Sequence, residues 1–277
     1  MNMFSKLAKV WMAVLAILTV PLIYSGAASA SQAPAQAPSS NAPSSLGPGG
    51  LSPSQPAAGF SMGRLPPDEK AAAAPRTMAP YFEPATNGPK PPDVDGFLQR
   101  WLILEPINKP NRTNTVFTDT YVRKTLTTEY FPTQMTLVPK NGDKVTVGDQ
   151  QLTWHAVDAM NFDAKLFNFA YGLNKQTYGV IFWAVTIVNS PRERKDVRLA
   201  VGSNSASMWW LNGNDVVDLF NDRRMVMDDV VSKPLTLNKG KNVLRGAVIN
   251  GPGLSDFCVR FVDDNGKPIK DITTSLE

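Results

Sequence analysis

Apolar residues crowd most densely into Tyr178–Gly213, where three runs follow one another between Asn189-Ser190-Pro191, Gly202–Ser205 and Asn212-Gly213. Residues 178–188 are branched or aromatic almost throughout, and at 11 residues they are too short to cross a bilayer as a helix, which takes about 20. Such a run between turn residues predicts a central strand covered on both faces. Residues 196–202 alternate, with Val197, Leu199 and Val201 on one side and Arg198 on the other, the period of a half-buried strand. Asn212-Gly213 lies between Met208–Leu211 and Val216-Val217 and predicts a tight hairpin, because a type I′ turn needs positive φ at both central positions. Asn212 is therefore expected as a turn former rather than a ligand contact.

Further strand-like runs fall at Phe97–Leu104, Thr125–Phe131, Leu152–Val157, Met225–Val231, Lys233–Leu237, Asn242–Asn250 and Phe257–Val262. No convincing helix of about 10 or more residues is expected, although Asp158–Tyr171 is ambiguous. Short strands at this spacing, with Asn-Gly, Lys-Gly and Pro-Gly turns, predict an all-β antiparallel sandwich for residues 93–277, a length that suits one sizeable core.

The chain upstream is of two other kinds. Residues 1–30 read as a signal peptide: Lys6 and Lys9, an apolar Val10–Tyr24, then Ala28-Ser29-Ala30. Retention of this leader as a membrane anchor is the alternative, and the short run broken by Pro21 favours cleavage. Residues 31–92 hold 14 of the 23 prolines among Ala, Ser and Gly, without hydrophobic periodicity, and are expected as a disordered Pro/Ala/Ser-rich linker. Tyr81-Phe82, near its end, has the alternative of docking onto the domain as an extra edge segment.

Charge narrows little. The whole chain carries +4, but residues 93–277 hold 22 Lys/Arg against 21 Asp/Glu, a difference of +1, which offers nucleic acid no electrostatic footprint. The single cysteine, Cys258, has no internal partner for a disulfide and fits a small buried hydrophobe.

Trp101-Leu-Ile-Leu-Glu-Pro-Ile107 resembles the opening strand of galactose-binding-like jelly-roll domains, which accompany secreted polysaccharide-active enzymes such as glycoside hydrolases and acetylxylan esterases. Gln151–Trp154, Val197–Ser203, Trp210–Gly213, Leu237–Asn242 and Asn250–Gly253 followed by Phe257–Phe261 extend the likeness, in order, over most of residues 97–268. The resemblance implies a jelly roll. Two departures qualify it: Glu105 stands where a Gly is usual, implying a different bend after the first strand, and Gly202–Ala206 replaces a more acidic turn.

Candidate chemistry is sparse. His155 is the sole histidine, so any Ser-His-Asp set must use it, and residues 93–277 hold no G-x-S-x-G elbow. Glu105, Glu129, Glu193 and Glu277 are the only glutamates there, and the adjacent pairs Asp228-Asp229 and Asp263-Asp264 point to opposite faces or into a turn, which argues against a glycosidase pair. One His and one Cys exclude a zinc cluster. Structural calcium stays open through Asp215, Asp218 and Asp222, whose spacing fits no defined loop; no metal or other cofactor is assigned. The sequon at Asn111-Arg-Thr113 is taken as chance in a chain with a bacterial-looking leader.

For sugar binding, rings stack on pyranose faces while amides bond hydroxyls, and Trp154, His155, Trp209, Trp210 and Asn250 are the candidates. Trp209 and Trp210 must face opposite ways on one strand, so one is expected in the core and the other as a platform. Trp101 and Trp183 are expected in the core. The leading expectation is a secreted or cell-envelope, non-catalytic carbohydrate-binding or accessory domain with a polysaccharide or glycan partner. The alternatives are a carbohydrate esterase using His155, and a structural or assembly protein of the envelope that engages envelope or enzyme-complex proteins.

Overall fold

The computed structural model describes residues 75–111, 117–220, 224–250 and 254–277. The expected leader, most of the Pro/Ala/Ser-rich stretch and Asp222 lie outside them.

The first elements are β1 (Phe82–Pro84), β2 (Arg100–Leu104), β3 (Ile107–Asn108), α1 (Asp119–Thr127), β4 (Lys144–Val147) and β5 (Gln150–Ala159). Then come β6 (Ala164–Lys165), α2 (Leu166–Gly172), β7 (Val180–Ser190), β8 (Arg194–Ser203), β9 (Ala206–Leu211) and β10 (Asn214–Leu219). The chain ends with β11 (Val230–Val231), β12 (Leu235–Leu237), β13 (Gly240–Ile249), β14 (Asp256–Val262) and β15 (Thr273–Ser275). They form two antiparallel sheets, a β-sandwich. The larger follows the order β1-β5-β2-β7-β13-β9-β10, and the smaller β11-β8-β14-β6. As the apolar run predicts, β7 is central: it pairs with β13 along its whole length, from Ile181↔Ile249 to Ser190↔Gly240, and with β2 on its other side.

Alternate residues of the large sheet enter two different cores. Trp101, Ile103, Phe182, Trp209 and Leu244 face the small sheet's Leu199, Val201, Phe257, Val259 and Phe261. Leu102, Leu104, Trp154, Trp183 and Trp210 face outward, where α1 covers them with Val122 and Leu126, joined by Phe131. That second covering layer is what makes β7 apolar on both faces.

Thr125–Phe131 is thus a correction: it is not a strand but the end of α1 and the turn after it. Thr118 caps the helix by accepting from Tyr121 N at 3.3 Å, Asp119 favours its first turn, and Val122 and Leu126 fall one turn apart on the buried side. Met225–Val231 and Lys233–Leu237 shrink to β11 and β12. The Asn212-Gly213 hairpin has positive φ at both residues, 51° and 83°, as its turn type demands. The folded domain begins upstream of residue 93. Phe82 is buried and β1 pairs with β5 through Phe82↔Ala159, so the docking alternative for Tyr81-Phe82 is the one observed.

Cys258 is buried, and burial pushes its thiol up to about 12, so it behaves as the expected small hydrophobe. Gly246 on β13 lies against the Trp209 ring, where a Cβ would come within 2.4 Å of Cζ3. Gly246→Ala should therefore destabilise the domain by about 1–3 kcal/mol through overpacking, read as a lower urea midpoint.

Candidate functional site

The exposed aromatic surface is built by α2 and the turn after it. Leu166, Phe169 and Ala170 turn inward, which leaves Phe167 and Tyr171, four residues apart, as neighbours on the other side of the helix. Their rings are nearly parallel, 9° apart with centroids at 6.4 Å. After Gly172 the chain reverses through Asn174, which has a φ of 57°, and Lys175 N closes the turn by donating to Ala170 O at 2.9 Å. Tyr178 then meets Phe167 edge-on at 5.7 Å. Tyr171 is 43% exposed and Tyr178 49%.

Tyr178 owes its outward position to the corner that follows. Gly179 has a φ of +67°, so β7 starts at Val180 and not at Tyr178 as the apolar run predicts. Asn250 fixes that corner: its Oδ1 accepts from Gly179 N at 3.2 Å, and its backbone N donates to Val180 O at 2.8 Å. Asn250 is fully buried, so its role is to position this corner and not to bond sugar hydroxyls directly.

Residues 75–84 strap across α2. Met78 packs where Gly172 lacks a side chain; a Cβ there would lie 2.5 Å from Met78 N. The strap brings the Arg76 guanidinium 4.7 Å above the Tyr171 ring, and Arg76 Nη1 donates to Asn174 Oδ1 at 2.7 Å.

Beside this face lies a polar cluster around Glu105. Its carboxylate takes Thr153 N at 3.2 Å, His155 Nε2 at 3.3 Å and Lys175 Nζ at 3.0 Å, and the side chain is only 9% exposed. His155 also packs edge-on against Phe169 at 5.7 Å. Glu105, the residue that departs from the jelly-roll motif, thereby joins β2, β5 and the α2 turn. Among the described residues no hydroxyl hydrogen-bonds to His155. One G-x-S-x-G spacing exists, Gly59–Gly63, in the Pro/Ala/Ser-rich stretch outside the described residues.

The tryptophan candidates are corrected by the layering. Trp154, Trp209 and Trp210 are all buried, Trp209 completely. Trp209 packs with Trp101 and Phe257 at 5.9 and 5.0 Å, while Trp210 stacks on Trp183 at 5.6 Å. The two do face opposite ways, but both faces of the sheet are covered, so neither ring is left as a platform. Of the five expected ligand residues, only His155 is partly exposed, with 26% of its side chain in solvent.

Two other places bear on ligands. An open groove of about 640 Å³ between α1 and β10 contains Arg123, Asp218 and Phe220. There Arg123 pairs with Asp218 and, at 3.6 Å, with Asp215, and it covers the Phe220 ring at 5.1 Å. Arg123 thus engages the aromatic ring and already holds two of the three aspartates considered for calcium. Among the described residues no group of three or more His, Cys, Asp or Glu side chains could hold a metal ion, and no helix is long and apolar enough to cross a membrane.

No family model matches the chain, and no curated protein matches it. Among solved structures it is similar to the PA14 domain of the MpAFP antifreeze protein, at 11% identity over 70% of this chain and 95% of that one, with a TM-score of 0.38. It is also similar to the PA14 sugar-binding domain of an RTX adhesin, at 9% identity over 64% of this chain and 99% of that one, TM-score 0.37. A β-glucosidase from Kluyveromyces marxianus in complex with glucose is 17% identical over 47% of this chain and 16% of its own length, TM-score 0.31. These are PA14-domain and β-glucosidase structures and not specifically galactose-binding-like ones. At such identities and scores they carry no argument about what this chain binds.

Proposed function

We propose that the chain is a non-catalytic carbohydrate-binding module whose binding face is Tyr178 and Tyr171 with Phe167 behind them. The observation that carries this reading is the pair of half-exposed tyrosines assembled on one surface by α2 and the Gly179 corner. The Tyr178 ring, set edge-on to Phe167, offers a pyranose C–H face a flat apolar surface, and Asn174 and Gln176, both exposed on the same turn, supply amides for hydroxyls. Within this reading the sandwich is a galactose-binding-like jelly roll, supported by the ordered motifs of residues 97–268, and the chain is exported, supported by the leader pattern of residues 1–30. No specific observation favours the esterase.

The test is a glycan array probed with the full chain, beside an acetyl-release assay on acetylated xylan. Binding to one or more glycans without acetate release is the expected result. A flat array overturns the proposal, and acetate release would return attention to His155.

A further inference from the structure

We propose that Arg245 is an anion-binding residue whose guanidinium takes the carboxylate of a small organic acid on the outer face of the large sheet. This site is separate from the tyrosine face and does not depend on the carbohydrate-binding reading. Arg245 sits mid-strand in β13, opposite Val185 of β7 and Trp210 of β9, and Leu102 of β2 continues the row. These three neighbours are buried and apolar, and Arg245 itself is only 4% exposed. Its guanidinium makes no hydrogen bond, ion pair or ring contact with any described residue. The other buried ionic side chains are all engaged: Arg100 with Asp158, Glu105 with His155 and Lys175, Lys109 with Asn250 O, and Asp163 and Asp256 with Lys165. The acidic residue of the same row, Asp215, lies beyond Trp210 and is held by Arg123. Burial without a compensating charge pushes the Arg245 guanidinium down to about 10.

A guanidinium so placed is short of an acceptor, and burying it unpaired is costly. Trp183, diagonal to Arg245 across β7 and β13, also has an indole N–H without an acceptor, so this face is rich in donors. Trp183 Nε1 is sealed off from solvent, whereas the guanidinium nitrogens are not, and they set the point at which a ligand makes contact. A planar carboxylate matches the guanidinium fork with two parallel hydrogen bonds and brings one charge to cancel one. The small exposed area and the apolar neighbours favour a compact monoanion over a phosphate dianion, whose desolvation costs more.

Thermal melts of the full chain near neutral pH and at fixed ionic strength test this, with chloride, acetate or phosphate as the anion. Acetate at about ten times its Kd should raise the wild-type melting temperature by about 3–5 °C over chloride. R245M keeps an apolar stem without the charge, so it should melt at or above wild type in chloride and show no acetate effect. The wild type also answers alone: one arginine Nε–H NMR resonance should shift with acetate and not with chloride. Equal melting in acetate and chloride, or no arginine resonance that moves, overturns the inference. So does an acetate effect that persists in R245M. R245M melting far below wild type in chloride overturns it as well, by showing that the charge is compensated within the fold. A phosphate effect as large as that of acetate overturns the choice of a carboxylate.

Discussion

Trp209→Ala should cost about 3–5 kcal/mol of folding stability, the range for truncating a large buried aromatic residue. Trp209 is fully buried, lies 5.0 Å from the Phe257 ring, and hydrogen-bonds through Nε1 to Ser207 Oγ at 3.1 Å. It fills the space that Gly246 leaves open on the neighbouring strand. Against a typical domain stability of about 5–15 kcal/mol, the loss would move the urea midpoint far to the left. A variant with an unchanged midpoint and lost glycan binding would instead make Trp209 a platform, contrary to its burial.

Asp158→Asn should cost a similar amount, about 3–5 kcal/mol, because it leaves a buried cation without its counter-ion. Arg100 is 1% exposed and meets Asp158 with two hydrogen bonds, Nε to Oδ1 at 2.9 Å and Nη2 to Oδ2 at 2.8 Å. Arg100 also reaches Thr86 Oγ1 at 2.6 Å, and Lys90 stands 3.5 Å from Asp158, so the pair clamps the segment after β1 onto the sheet. Burial alone would raise the Asp158 carboxyl, but the Arg100 hydrogen bond and charge, with Lys90, outweigh it and hold the group below the usual carboxylate range. With the folded pKa below the unfolded value of about 3.9, the stabilisation is complete above that value and fades as pH falls through the folded pKa. Thermal melts of wild type and variant should therefore differ fully near neutrality and converge on acidification below about pH 4. A difference that grows with acid would contradict the ion pair.

What the sequence made legible was what depends on short-range pattern. The two-sided apolarity of residues 178–188, the Asn212-Gly213 turn and the burial of Trp101, Trp183 and Cys258 all follow from local rules. What covers a face is not local. The outer face of the large sheet is closed by α1, whose Thr-rich sequence imitates a strand, and so Trp154 and Trp210 became core residues. The aromatic face was hidden for a related reason. Phe167 and Tyr171 fall in the ambiguous Asp158–Tyr171 stretch, and Tyr178 is continuous with an apolar strand until Gly179 turns it out. The i, i+4 aromatic spacing and the glycine after Tyr178 were the available signals. Arg76 carried none, because its position depends on a strap that reads as linker. Glu105 did carry one: a carboxylate where the jelly-roll motif has glycine marks the corner at which β2, β5 and α2 meet.

The most direct test of the binding face is Tyr178→Ala, measured for affinity toward an array-positive glycan and for melting temperature on the same preparation. Tyr178 is half exposed and precedes β7, so the expected result is at least about a tenfold loss of affinity with a melting temperature near wild type. Unchanged affinity would contradict the tyrosine face and move the site elsewhere on the domain.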